Sequence, residues 1–242
     1  MEEQAPAETA ETGGSSAQPG YGGRAMLDLG PDIGIGAPRD ATRRRETLDE
    51  AVAVEDGPTV VRFPKGEVGV ELPAIERLAD GTDVLARGAS EDVLLVGIGP
   101  MAHIAMDVAQ RLGAQGIGAT VIDPRWVVPV APAVIDLAGR HRLVITIEDG
   151  IRVGGIGTRI RQVLREAGVD TAVDELGLPD EFIDHASRGQ ILADAGLTAP
   201  KIAQDVVSQV LGTRIPVARP PEGQPVWLAD VNLRERDGTR DS

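Results

Sequence analysis

Between residues 92 and 167 the chain alternates three times between a short apolar run and a segment of helical periodicity. DVLLVGIG leads into PMAHIAMDVAQRLGA, GATVIDP into APAVIDLAGR, and LVITIED into GTRIRQVLREAG. Apolar runs rich in β-branched residues suit strands buried on both faces, and Ala/Leu/Arg/Gln-rich segments with a 3.6-residue period suit the helices that cover them. Strand–helix–strand–helix order leaves few arrangements open. It implies an α/β fold with a doubly wound, mainly parallel sheet and right-handed crossovers. Pro100 suits the first position of the opening helix, and Ile104, Val108 and Leu112 with Ala105 and Ala109 form one apolar stripe along it.

The flanks divide by composition. Residues 1–36 are read as a disordered or irregular segment, because the stretch to Gly23 is rich in Glu, Ala, Gly, Ser and Pro and cannot bury enough surface to offset its ordering entropy. Residues 37–66 carry a helix opened by Asp40 as N-cap and a strand over 59–63 stopped by Pro64. Residues 67–91 read as a linker and 92–212 as the main unit, which is expected to fold independently. That unit is closed by a helix with Thr198 as N-cap, Pro200 in its first turn and Gly212 as its stop. Residues 213–242 are Pro-, Arg- and Asp-rich without periodicity and read as a disordered tail.

Charge and composition exclude several classes. A formal net charge of −14 repels nucleic acid and anionic lipid, so any anion site must be a local basic pocket. Aromatic residues at 2% give no stacking platform for bases. With no cysteine there is no disulfide, thiolate metal site or Cys nucleophile. No apolar run approaches the roughly 20 residues that cross a bilayer, and the first residues lack the pattern of a secretory signal. A cytoplasmic protein without nucleic-acid or membrane partners is the expectation.

Candidate chemistry is sparse. His103, His141 and His185 have no partner at a metal-ligand spacing. His103 stands beside the GIGP turn, where it could face a cleft, although a structural histidine is the simpler reading. GIGP (97–100) and RVGGIG (152–157) place glycines between strand ends and helix starts. Such turns can receive anions, but the full G-x-G-x-x-G pattern is not met, and tight turns explain them. Glu148 and Asp149 end the third strand at the carboxyl edge, where open α/β sheets place functional groups. Arg39, Arg43, Arg44 and Arg45 crowd into seven residues; a nucleic-acid patch is conceivable, but a solvated helix face is the usual meaning of such a run. Arg62 and Lys65 flank Phe63-Pro64 at a strand end and can converge on one anion, against the plain alternative of a solvated pair. Lys65 is one of only two lysines.

GPTVVRFPKG, preceded by APRDATRRRETLDEAV and followed by VIDPRWVVPV, ITIEDGIRVGGIGTRI and LGLPDEFIDHASRGQILADAGL, resembles the 1-deoxy-D-xylulose-5-phosphate synthases. These belong to the transketolase-like enzymes that depend on thiamine diphosphate and Mg²⁺. The likeness runs from about Ile33 to Gly212 in order. It implies a carboxy-terminal portion only: residues 37–66 as a remnant of the pyrimidine-binding domain, and residues 92–212 as the transketolase-type carboxy-terminal domain. In the family the R-[YF]-P-[RK]-G segment helps hold the phosphate of glyceraldehyde 3-phosphate, a role that would fall on Lys65 with Arg62 nearby. Lysine there keeps the charge but loses the bidentate fork of the arginine found in many relatives.

The departures are as informative. The family's Gly-Asp-Gly…Asn motif for magnesium diphosphate is not found: no Gly-Asp-Gly occurs, and the one asparagine is Asn232. The ring-activating glutamate and pocket histidines belong to family segments that this sequence does not contain, so no catalytic residue is assigned. No cofactor is expected to bind this chain alone. By resemblance the whole enzyme condenses pyruvate with glyceraldehyde 3-phosphate, releasing CO2 and supplying isoprenoid and thiamine precursors. Three readings stay open: part of a split synthase, a non-catalytic assembly or regulatory module, or a truncated product. The partner expected is a second copy of the chain or an amino-terminal transketolase-type chain. If no sheet surrounds the strand at 59–63, its Val61/Phe63 face is left exposed.

Overall fold

A computed structural model of the chain describes residues 32–64, 69–183 and 186–212. Among these, nine strands form two sheets. The larger contains β3 (Glu76–Arg77), β4 (Asp83–Ala86), β5 (Val93–Gly97), β6 (Ala119–Asp123), β8 (Leu143–Ile151) and β9 (Ala172–Leu178), in the order β3-β4-β6-β5-β8-β9. The strands from β6 through β9 are parallel, and β4 and β3 add antiparallel at the other edge. The smaller sheet has the order β2-β1-β7, from β1 (Gly34–Gly36), β2 (Thr59–Val61) and β7 (Trp126–Val128).

The helices are α1 (Ala41–Val52), α2 (Met101–Gly113), α3 (Pro132–Ala138), α4 (Ile156–Glu166), α5 (Arg188–Asp194) and α6 (Ala199–Val210). Side chains alternate along a strand, so each face of the large sheet builds its own core. Val93 and Leu95 meet Ala105, Val108 and Leu112 of α2, with Ile202 and Val206 of α6 in the same cluster. Leu94 and Val96 face the opposite cluster, with Val134 and Leu137 of α3 and Ile160 and Leu164 of α4. Helices on both faces of a mainly parallel sheet are the doubly wound arrangement that the sequence implies.

Local signals hold in part. The Asp40 side chain accepts the Arg43 N–H at 2.8 Å and caps α1. Pro100 takes the N-cap position, one residue before the helical position expected of it. Thr198 occupies the N-cap position of α6 without a side-chain cap bond, and Gly212 follows its end at φ +70. The closing region is two helices, α5 and α6, instead of one.

Three expectations need correction. The segment 1–36 was expected to be irregular, yet residues 34–36 form β1, and Ile35 is 1% exposed; residues 1–31 lie outside the described residues. Residues 67–91 were expected to be a linker, but they contribute β3 and β4 to the large sheet, so the sheet begins before residue 92. The strand expected over 59–63 spans 59–61 and forms the edge of the small sheet. It runs parallel to β1, which pairs antiparallel with β7, and only Phe63 beyond its end remains 47% exposed. The tail at 213–242 lies outside the described residues.

Candidate functional site

The crossover pattern locates the site. From β5 the chain passes through α2 to β6 on one side, whereas β8 leads through α4 to β9 on the other. The carboxyl ends of the adjacent strands β5 and β8 therefore bound the crevice where open α/β sheets take ligands. Asp149 of β8 stands there, 6% exposed. Arg62, at the exit of β2, donates to its Oδ1 at 3.2 Å, and Arg188, at the start of α5, donates to its Oδ2 at 2.9 Å. Burial raises the Asp149 carboxyl, but the two guanidinia more than offset it and hold its pKa below the ordinary value.

Glu148 is turned inward, 1% exposed, and accepts the Gly157 N–H at 2.9 Å. It fastens the RVGGIG turn to the strand that carries it. The GIGP turn is likewise a matter of close approach: a Cβ on Gly97 would lie 2.5 Å from the Cα of Ala102, and Gly99 has φ +58. Both glycine motifs are thus tight turns, as the simpler reading has it.

The arginine run has a different role from either sequence reading. Arg39 is fully buried, and its Nη1 donates to Asp83 and Asp123, each at 2.7 Å, while Nε donates to the Leu72 carbonyl at 2.9 Å. Asp83 also receives Arg77, at 2.6 Å from Nε. Burial pushes Asp123, whose one guanidinium partner among the described residues is Arg39, up to about 6. Burial acts on Asp83 too, but Arg77 and Arg39 together bring its pKa below the usual range. Arg43 pairs with Glu46 and Asp83, and Arg44 lies over the Phe63 ring at 5.2 Å. Only Arg45 is an exposed member of the run. Arg39 and Arg43 join the start of α1 to Asp83 and Asp123 of the large sheet, so the run is not the simple solvated face expected of it.

Of the histidines, His141 is structural: it is 5% exposed, with Nδ1 2.7 Å from the Leu137 carbonyl and Nε2 3.0 Å from Thr120 Oγ1. His103 lines a cleft with Arg44, Phe63 and Arg188. His185 and Lys65 lie outside the described residues. Arg62 is described, and its guanidinium is engaged with Asp149. Arg188 escaped sequence reasoning; its signal is weak, a single arginine after the Ser187 that caps α5 by accepting the Gln190 N–H.

The residues present do not fit magnesium diphosphate. The Asp149 oxygens are both held by guanidinium groups, and Asp83 and Asp123 are neutralised by Arg39 and Arg77. Among the described residues no three His, Asp or Glu side chains are grouped to hold a metal ion.

Residues 83–202 match the family model described as "Transketolase, C-terminal domain". The chain is 66% identical over 196 residues to the 1-deoxy-D-xylulose-5-phosphate synthase of Leifsonia xyli subsp. xyli, covering 81% of this chain and 30% of that protein. It is equally similar, 66% over 196 residues with the same coverage, to the synthase of Clavibacter sepedonicus. The chain resembles the carboxy-terminal portion of these enzymes, and it spans about 30% of their length. Among solved structures, one titled "Split gene transketolase, inactive beta4 tetramer" superposes with a TM-score of 0.65 at 27% identity, over 78% of this chain and 61% of that one. A transketolase mutant from Pichia stipitis shares the fold, with a TM-score of 0.61 at 16% identity, over 78% of this chain and 27% of that one.

Proposed function

We propose that this chain is the carboxy-terminal part of a 1-deoxy-D-xylulose-5-phosphate synthase-like enzyme. In this reading it supplies cations for the substrate phosphate and a surface for assembly, and it is inactive alone. The observation that carries the reading is the 66% identity to such synthases over 196 residues. Lys65 holds the phosphate of glyceraldehyde 3-phosphate, with Arg62 nearby and fixed in place by Asp149. Thiamine diphosphate and Mg²⁺, when bound, supply the carbanion chemistry, and they are held by residues other than these 242. The partner that brings them is an amino-terminal transketolase-type chain, and the printed title of the split-gene transketolase supports a divided arrangement of this kind. The product feeds isoprenoid and thiamine precursor synthesis in the cytoplasm.

The test is CO2 release from pyruvate and glyceraldehyde 3-phosphate with thiamine diphosphate and Mg²⁺. The chain alone gives no turnover. Adding the amino-terminal part of a related synthase restores it, and Lys65→Ala in the restored enzyme raises KM for glyceraldehyde 3-phosphate roughly tenfold or more. Turnover by the chain alone, or none after addition of the amino-terminal part, overturns the reading.

A further inference from the structure

We propose that the outer edge of β2, with the exposed flank of α1 beside it, receives a strand of an amino-terminal synthase part. The partner is the one taken from the function proposed above; the surface it meets is read from the backbone. β1 and β2 are parallel neighbours, with Gly34 opposite Thr59 and Gly36 opposite Val61. The Gly34 N–H donates to the Pro58 carbonyl at 2.9 Å, and the Arg62 N–H donates to the Gly36 carbonyl at 2.8 Å. Residues 58, 60 and 62 therefore turn their backbone groups toward β1, and by alternation Thr59 and Val61 turn theirs outward. β2 ends the strand order β2-β1-β7, so among the described residues no strand meets those groups.

The other sheet edges are guarded. β3 consists of Glu76 and Arg77, and β7 runs into Pro129. β9 carries Asp174 and Glu175, which accept bonds from Gln209 and Thr158. Charges and prolines of this kind keep an edge from pairing. β2 reads Thr-Val-Val, and Pro58 and Pro64 stand outside it. A parallel pair left at an open margin is also unusual, because parallel sheets are buried ones.

α1 lies along β2 and is fixed to it at both ends. The Arg44 guanidinium sits over the Phe63 ring at 5.2 Å, and Thr59 Oγ1 donates to the Ala51 carbonyl at 3.3 Å. One flank of the helix turns to the far edge of the small sheet, where Glu50 accepts from Trp126 of β7 at 2.6 Å. The opposite flank continues from Arg44 at four-residue steps through Leu48 and Val52, beside the free edge of β2. Leu48 is 43% exposed and Val52 86%. A strand added to β2 would thus gain backbone partners and an apolar ledge together. The occupant follows from length: the chain spans about 30% of the synthases it resembles, so most of such an enzyme lies outside it. A second copy is disfavoured, because each chain carries a net charge of −14.

The probe is the amino-terminal part of the Leifsonia xyli synthase, co-expressed with the full 242-residue chain and purified with it. Amide hydrogen exchange reads the edge directly. In the chain alone Thr59 and Val61 exchange faster than Val60 and Arg62, and in the complex they slow roughly tenfold or more. Val61→Pro deletes one outward N–H and leaves the bonds to β1 in place. Leu48→Glu puts a charge on the ledge. Each weakens the complex roughly tenfold in sedimentation velocity, whereas Leu211→Glu, at an exposed apolar position after α6, does not. Circular dichroism checks that the variants keep the parent fold.

Protection of Thr59 and Val61 already present in the chain alone would mean that residues 1–31 or a second copy cover the edge, and it overturns the proposal. Absence of a complex does the same, as does a complex in which both variants bind like the parent. A complex that depends on Val61 and Leu48 yet gives no turnover refutes the synthase reading and keeps this surface. Restored turnover with both variants unimpaired does the reverse.

Discussion

Replacing Arg39 by methionine removes the charge that holds residues 39–44 against the large sheet while keeping most of the side-chain volume. Three bonds go with it, to Asp83 and Asp123 at 2.7 Å and to the Leu72 carbonyl at 2.9 Å. Both carboxylates have fully buried side chains. Removing one partner from a buried ionic cluster costs about 3–5 kcal/mol, because the charge left behind is neither solvated nor paired. Asp83 keeps Arg77, so most of the loss falls on Asp123.

The pH dependence follows from the Asp123 pKa, which burial has already pushed up to about 6. A carboxyl raised above its unfolded value, about 3.9, contributes stability that is complete below the unfolded pKa and lost as pH rises through the folded one. In Arg39→Met the Asp123 pKa rises further, so the variant loses additional stability as pH climbs above 6. The deficit relative to the parent is therefore larger at pH 8 than at pH 5, by about 1–2 kcal/mol. Urea unfolding followed by far-UV circular dichroism at both pH values measures it. A deficit below about 1 kcal/mol at pH 8, or one equal at the two pH values, would refute the reasoning.

Asp149→Asn loses the charge-assisted bonds to Arg62 and Arg188 and is expected to cost about 1–3 kcal/mol at pH 7. Because the Asp149 pKa is depressed, that contribution is present above the unfolded value and disappears as pH falls through the folded one, so the melting temperatures of variant and parent converge in acid. Gly97→Ala drives a methyl to 2.5 Å from the Cα of Ala102 and should destabilise by about 1–3 kcal/mol in urea titration; a neutral result would mean that α2 can shift from β5 without cost. On the proposed function, Lys65→Ala is expected to raise the KM for glyceraldehyde 3-phosphate in the reconstituted enzyme and to change the stability of the isolated chain by less than about 0.5 kcal/mol in urea titration.

The parallel sheet was legible because its strands are buried on both faces. Val93 to Val96 and Leu143 to Ile147 write that burial as continuous apolar runs, and α2 writes its inward face as a stripe. The elements that escaped are those whose partners lie far away in sequence. A two-residue β3 of Glu and Arg has no periodicity to read, and β4 begins with Asp83, buried only because Arg39 and Arg77 come to meet it. The same distance effect hid the meaning of the arginine run. Arg39 reads as surface until Asp83 and Asp123, 44 and 84 residues on, are brought to its Nη1. Arg62 was singled out for an anion, but Asp149 as its holder and Arg188 as its counterpart emerge only when β2, β8 and α5 converge.

One path through the fold bears on how such a polypeptide can be divided. After β6 the chain leaves the large sheet at Asp123 and, within a few residues, enters the small one as β7, where it pairs with β1. It then returns through α3 to the large sheet. The two sheets are therefore sewn together by a strand from the interior of the transketolase-type domain, and a seam in the sequence is not a seam in space. A gene break between residues 64 and 83 would leave β1 and β2 on one polypeptide and their partner β7 on the other, so the small sheet would form only when the two associate. A break upstream of residue 32 keeps all three strands on one ribosome's product.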